Sequence, residues 1–439
     1  MTDALMSGTM SPGLLKVVER AKMEPEGRFH SLAHLIDVPA LERSYRRMRK
    51  DAAVGVDGVT KEQYGQRLED NLRDLHERMV SKRYRHQPIR RVHIPKDKGR
   101  TRPLGISAFE DKLVQDAVRE VLEAVYEQDF LECSHGFRPG RGAHDAIRVL
   151  DRVIHQGKVS WILEADIVSF FDSLDRSKLV EMLQIRVADG SMLRLIGKCL
   201  HVGVLDGAQY SAPDTGTAQG SVLSPLLGNI YLHYVLDLWF EREIKPRLRG
   251  EAYLVRYADD FAMTFELQDD ARRVMDVLGK RMARYGLTLH PDKTRLVPFR
   301  RPPASQTSGK GPATFDFLGF TLYWRRPRRG RWSMTCKTRR ARLQRSIRAV
   351  AEWCRRYRHL PVKAQHAALT RRLKGHFNYF GVSCNFRCLL QFVEETRAVW
   401  YKWLRRRSQQ AHLTWEKFCE LLARLPLPRP RITVSLWGP

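Results

Sequence analysis

Acidic residues are scarce in this chain. Its 439 residues carry 77 Lys and Arg against 49 Asp and Glu, a formal net charge of +28. That excess is beyond what solubility requires and points to a polyanionic partner. Long apolar runs are missing too: no stretch of about 18 uninterrupted apolar residues occurs, so no membrane-crossing helix is expected. The N-terminus, with Met, Gly and scattered acids, lacks the basic-then-apolar order of a secretory signal, so the chain is expected to stay in the compartment where it is made. Cysteine pairing is absent as well. The seven cysteines (133, 199, 336, 354, 384, 388 and 419) are odd in number, form no Cys-x-x-Cys pair and have no His partners at zinc-finger spacing. Cys384 and Cys388 alone read as two core thiols. Reduced cysteines, no disulfides and no structural zinc are expected.

What is present is an uneven basic surface. Between Thr321 and Gln410 there are 24 Lys or Arg and only 3 acids. Trp324, Trp332, Trp353, Tyr357, Phe377, Tyr379, Phe380, Trp400, Tyr401 and Trp403 are interleaved with those bases, supplying both a core and stacking surfaces for nucleic acid. A merely solvated surface would not need them.

Residues 1 to about 28 show weak periodicity and read as a tail or a short helix. A helical stretch follows from Leu41 through Arg49, then a loop at 52–58 rich in glycine, then Leu68, Leu72, Leu75 and Met79 at helical spacing. Ile89 to Ile94 alternates apolar and basic residues and leads into Lys96 to Arg102, a hairpin with a basic tip. Asp111 to Tyr126 is amphipathic, another helix starts near Ala143, and Trp161 to Ile167 is an apolar strand. Tyr253–Tyr257 and Phe261–Phe265 are two short apolar strands separated only by Ala258, Asp259 and Asp260. A loop rich in Pro, Ser and Gly runs from Phe299 through Pro312, and beyond Trp332 the pattern is helical until Leu425.

Two adjacent aspartates at the tip of an apolar hairpin repel each other and are costly to bury as anions. A divalent cation resolves the conflict. Asp166 also ends an apolar strand, and neighbouring strands of one sheet can bring it beside the hairpin. Three such carboxylates suit two Mg²⁺ ions, which prefer hard oxygen ligands and keep positions open for substrate phosphates.

The segments around these carboxylates carry a resemblance. Asp166-Ile-Val-Ser-Phe-Phe-Asp172 and Tyr257-Ala-Asp-Asp260 resemble the two metal-binding motifs of reverse transcriptases. Between them Gly216-Thr-Ala-Gln-Gly-Ser-Val-Leu-Ser-Pro225 looks like the family's nucleotide-and-template motif, with Ala218 where many relatives have proline. The likeness narrows to group II intron reverse transcriptases through Gly55-Val-Asp-Gly-Val59, Ile94-Pro-Lys96, Arg102-Pro-Leu-Gly-Ile106, His135-Gly-Phe-Arg-Pro-Gly-Arg141, Ser224-Pro-Leu-Leu-Gly-Asn-Ile-Tyr231, Phe317-Leu-Gly-Phe320 and Gly375-His-Phe-Asn-Tyr-Phe380. Together these cover about residues 40 to 400.

The resemblance implies an α+β right-hand polymerase fold: fingers and palm with an antiparallel palm sheet over 29–320, a helical thumb or maturase domain over 321–410, and a DNA-binding-like tail over 411–439. It implies RNA-directed DNA synthesis with Asp166, Asp259 and Asp260 as catalytic metal ligands and Ile167 in the metal-binding set. The ions would be two Mg²⁺, with Mn²⁺ as a substitute. Lys96 and Arg102 would grip the incoming triphosphate and Gln219 would line its pocket. Phe171 falls at the steric gate against a ribose 2′-hydroxyl, the alternative being core packing with Phe170 pointing the other way on a strand. Lys293 resembles the lysine placed near the pyrophosphate; an ordinary surface lysine is the alternative. Arg138, Arg141, Arg405, Arg406 and Arg407 would contact nucleic acid. The implied partners are an RNA template and DNA primer, a group II intron RNA and its target DNA, in a bacterial cytoplasm with nucleoid association. No His-Asn-His endonuclease segment is seen, so second-strand cutting is not expected. Two other readings stay open: a free-standing reverse transcriptase used in phage defence, CRISPR spacer acquisition or repair, and an RNA-binding maturase that has lost polymerisation.

Overall fold

In a computed structural model the structure describes residues 10–95, 101–207, 209–211, 215–217, 220–303, 305, 313–326, 332–407 and 413–436. Its strands are β1 (Ile89–Pro95), β2 (Thr101–Ile106), β3 (Trp161–Ala165), β4 (Val204–Asp206), β5 (Gln209–Ser211), β6 (Ala252–Tyr257), β7 (Asp260–Phe265), β8 (Arg295–Pro298), β9 (Phe315–Phe317), β10 (Phe320–Arg325) and β11 (Ser333–Thr338). They form three sheets, ordered β2-β1-β4-β5, β6-β7-β3-β8 and β11-β10-β9. The second is antiparallel throughout. In the first, only β1 and β4 run parallel. The chain is thus a mixed α and β fold with antiparallel sheets, as the sequence suggests.

The β6-β7-β3-β8 sheet divides two hydrophobic cores. Because successive strand residues face opposite sides, Leu163, Leu254, Met263 and Phe265 enter one core. Ile162, Val255, Ala262 and Val297 enter the other. The first core is filled by the helix Phe109–Asp129, which buries Val114, Val118, Val121 and Val125 among others. The second holds the three-stranded sheet and the helices Val362–Phe380 and Phe386–Leu404. The sheet edge that carries the carboxylates is therefore fixed from both faces.

Several elements refine or correct the sequence reading. Of the two readings of the N-terminal stretch, a tail or a short helix, the structure has the helix: Pro12–Met23, started by Ser11 and Pro12, buries Leu14, Val17 and Ala21 in the first core, which a tail would not. The chain after Trp332 is not wholly helical: β11 comes first, with Met334, Cys336 and Thr338 buried in alternation. Six residues in a basic run are too few for that period to show. The loop read at 52–58 is a loop in the structure and is tied to the long helix, whose Phe109 N–H donates to Asp57 Oδ2 at 2.8 Å. At Gly55 a Cβ would lie 2.5 Å from Ala108 Cα, so only glycine lets the loop pass. The seven cysteines are free thiols, with Cys336 and Cys384 Sγ 3.1 Å apart. Among the described residues no helix is long and apolar enough to cross a membrane.

Candidate active site

The β6–β7 hairpin closes in the shortest way available. Tyr257 pairs with Asp260, leaving Ala258 and Asp259 as a two-residue loop. Ala258 takes the positive φ, +56°, that such loops demand at their first position. Asp260 is consequently the first residue of β7 rather than part of the turn. Next to it runs β3, where Ala165 pairs with Phe261. The following rung sets Asp166 beside Asp260, with their carboxyls in hydrogen-bonding reach.

The backbone around Asp166 is held from the other side as well. Its carbonyl accepts the His290 N–H at 2.8 Å, Ile167 bridges Leu289, and the Val168 N–H donates to the Thr288 carbonyl at 2.9 Å. The chain then turns before β8 and brings the Lys293 ammonium onto the Asp166 carboxylate. Burial and the charges of Asp259 and Asp166 push the Asp260 carboxyl up to about 7, although its outer edge is open to solvent. Burial raises Asp259 too, the charge of Asp166 acting with it and Arg102 and Lys293 against it.

Such a cluster needs positive charge to stay ionised. The donors are hard oxygens without histidine or cysteine among them, a set that fits Mg²⁺ or Mn²⁺ better than zinc. Among the described residues no three carboxylate, histidine or cysteine side chains already converge as a finished metal cage. Lys293 is the counter-charge now in place. Ile167 is buried, so the group it has to offer a cation is its backbone carbonyl.

The other sequence-selected residues are distributed unevenly. Arg102 lies on β2, close enough to act electrostatically on Asp259 and Asp172. Lys96 and Gln219 lie outside the described residues. Phe170 and Phe171 do not alternate on a strand: both sit in the short helix Phe170–Ser173, Phe170 buried and Phe171 half-buried, with ring centroids 5.1 Å apart. Gly228 packs against both rings, and a Cβ there would come within 2.9 Å of Phe170 and 3.2 Å of Phe171. Arg138 is a correction. Its side chain is buried, bound on Nε and Nη2 to Glu127 and on Nη1 to the Leu131 and Ser134 carbonyls, so it braces a loop instead of meeting a phosphate. Arg141 is paired with Glu132 at 2.8 Å. Arg405, Arg406 and Arg407 are exposed, far along the chain from the carboxylates.

One group beneath the site escaped the sequence reading. Arg256 is fully buried and donates to both Asp237 oxygens (2.8 and 2.6 Å), Asn229 Oδ1 (2.9 Å), Ser134 Oγ (2.7 Å) and the Ala258 carbonyl (3.1 Å). It therefore grips the strained residue that precedes Asp259. A lone arginine inside the apolar run Tyr253–Tyr257 was the available signal.

With this geometry in view, the family described as "Reverse transcriptase (RNA-dependent DNA polymerase)" matches residues 94–322, more than half of the chain. The chain belongs to the reverse transcriptase family. Within it the similar proteins include one named for a group II intron. The "Group II intron-encoded protein LtrA" of Lactococcus lactis subsp. cremoris is 37% identical over 215 residues, covering 47% of this chain but only 36% of that protein. "Protein YkfC" of Escherichia coli is 31% identical over 321 residues, covering 64% of this chain and 83% of the relative. An "Uncharacterized 91 kDa protein in cob intron" of Schizosaccharomyces pombe is 36% identical over 198 residues, 45% of this chain and 24% of its own. The chain thus spans about a third of LtrA.

Proposed function

We propose that this chain is an RNA-directed DNA polymerase, extending a DNA primer on an RNA template, and that it also serves a group II intron as splicing maturase and retrohoming factor. The observation that carries the polymerase reading is that Asp166 and Asp260 lie side by side at the ends of the two central strands of an antiparallel sheet, with Asp259 next to them in the hairpin loop. Family membership supports it, and the similarity to LtrA supports the intron role.

In this reading the three carboxylates, with the Ile167 carbonyl, would hold two Mg²⁺ ions, for which Mn²⁺ could substitute. The ions supply Lewis acidity at the primer 3′-hydroxyl and at the phosphate under attack. The chain's own residues do the rest. Arg102, with Lys96, binds the triphosphate of the incoming nucleotide by charge. Phe171, braced by Phe170 and Gly228, excludes a ribose 2′-hydroxyl, and Gln219 lines the same pocket. Lys293, paired here with Asp166, would use its ammonium to stabilise the departing pyrophosphate. Fingers and palm would occupy 29–320, the thumb 321–410 and a DNA-contacting tail 411–439. The template–primer duplex and the intron RNA would be gripped by the basic surface through their backbones.

Primer extension by the purified protein on an RNA template, with and without Mg²⁺, tests the reading. Asp259→Asn removes one ligand charge and little volume. Synthesis is expected to fall by about a hundredfold or more, with RNA binding and melting temperature close to wild type. Full extension by this variant would remove the three carboxylates from the catalytic role.

A further inference from the structure

Beside the catalytic hairpin one large side chain is placed against ordinary physical preference. Phe137 is 55% exposed, and its backbone is left-handed at φ +57°. An aromatic residue in that region is a true outlier whose strain must be held by its surroundings, and an exposed ring regains little by burial. Of the five non-glycine residues with positive φ among those described, Phe137, Ser169 and Ala258 all flank the carboxylates. Ser169 and Ala258 shape the turns that carry aspartates. Phe137 carries none.

The segment holding it is clamped on both sides. The His135 N–H donates to the Arg256 carbonyl (2.9 Å), and the Arg256 N–H to the Cys133 carbonyl (2.8 Å). Asn229 Nδ2 donates to the Gly136 carbonyl (2.6 Å). On the far side the buried Arg138 is fixed by Glu127 and two carbonyls. Gly136 lies so near the catalytic turn that a Cβ would meet Ala258 N at 2.4 Å. The Phe137 ring then comes to rest 6.4 Å from that of Tyr257, two residues before Asp259. Hydrogen bonds thus hold this loop on both sides of one protruding ring, and the ring lies near the tyrosine that pairs with Asp260.

We propose that Phe137, with Tyr257, is a stacking contact for the primer strand, packing on the sugar or base of the nucleotides just behind its 3′ end. The inference rests on the polymerase reading in one respect: a strand whose 3′-hydroxyl reaches Asp166, Asp259 and Asp260 has to pass beside this aromatic pair. Base–aromatic contacts tolerate any sequence, as a polymerase requires.

The test compares wild type with Phe137→Gly, Phe137→Ala and Phe137→Trp. Glycine accepts the left-handed backbone, so its melting temperature is expected to equal or exceed that of wild type. Binding of a DNA primer annealed to RNA is measured by fluorescence anisotropy in EDTA across a salt series, and extension kinetics are measured separately. Gly and Ala are expected to weaken primer–template binding by about five- to a hundredfold, with the slope against salt unchanged because no phosphate contact is lost. KM for primer–template should rise in step while the Mg²⁺ dependence stays fixed. Trp should restore binding. Unaltered binding by the folded Gly variant would overturn the proposal, as would a loss that Trp does not rescue. The anisotropy arm needs no catalysis, so failure of wild type to extend a primer would sink the polymerase reading while leaving this contact separately decided.

Discussion

At the scale of single residues, the charges that face solvent matter less than one that does not. Arg256 and Asp237 are both wholly buried, and each compensates the other where water cannot. Truncating one partner strands the other charge in the core, a change that costs about 3–5 kcal/mol in comparable buried pairs. Arg256→Met is expected to lower unfolding free energy by that amount in urea titrations. Pairing it with Asp237→Leu should recover much of the loss, since the orphaned anion is gone. Primer extension is expected to stay depressed in the double variant, because nothing then holds the Ala258 carbonyl behind Asp259. Restored extension alongside restored stability would mean that the turn keeps its shape without the guanidinium.

At the scale of elements, the helices Val362–Phe380 and Phe386–Leu404 meet around His376. Its ring stacks on Phe392 with centroids 4.1 Å apart and lies 4.7 Å from Phe380, and Nε2 is buried without a partner. Burial, with the charge of Arg342 acting alike, pulls its pKa down to about 4. A histidine near 6.5 when unfolded and near 4 when folded takes up a proton on unfolding between those values. Stability is therefore full above about pH 6.5 and is lost as the pH falls toward 4. His376→Leu removes this component. The stability of the variant relative to wild type is expected to rise by up to about 3 kcal/mol between pH 7 and pH 4, read from denaturant midpoints. His135 and His233 are depressed in the same direction but are present in both proteins, so they cancel. A pH-independent difference would mean that His376 binds its proton as readily in the fold as in the unfolded chain.

At the scale of the whole molecule, the net charge of +28 is spread over surfaces that include the end of the helix Phe386–Leu404. There Arg405 lies over Tyr401 with 5.5 Å to the ring centroid, Arg406 over Trp403 at 5.8 Å, and Arg407 donates to the His359 and Leu360 carbonyls. The aromatic rings hold the first two guanidinium groups outward. Replacing all three arginines by glutamine is expected to weaken binding to RNA of any sequence and to reduce the slope of log affinity against log salt by up to about three units. Synthesis from saturating primer–template should persist. Affinity and slope both at wild-type values would assign these arginines to solvent, with the nucleic acid bound elsewhere on the basic surface.

The catalytic hairpin was legible in the amino-acid order because it is local. Two apolar strands with so few residues between them have few ways to close, although only the structure moves Asp260 out of the turn and into the second strand. The long helices were legible for a similar reason, since an apolar stripe repeats within each of them. The neighbour of the hairpin was not decided locally. Asp166 meets Asp260 because β3 pairs with β7 rather than with some other strand, a choice made by two cores competing for the faces of one sheet. The destination of each long basic side chain was likewise open in the sequence. Arg138 sits in a motif rich in surface-forming residues and Arg256 in an apolar strand, yet both turn inward, because Glu127 and Asp237 wait there at the end of folding. A guanidinium on a flexible stem goes where its counter-charge is, and only the tertiary structure brings the counter-charge within reach.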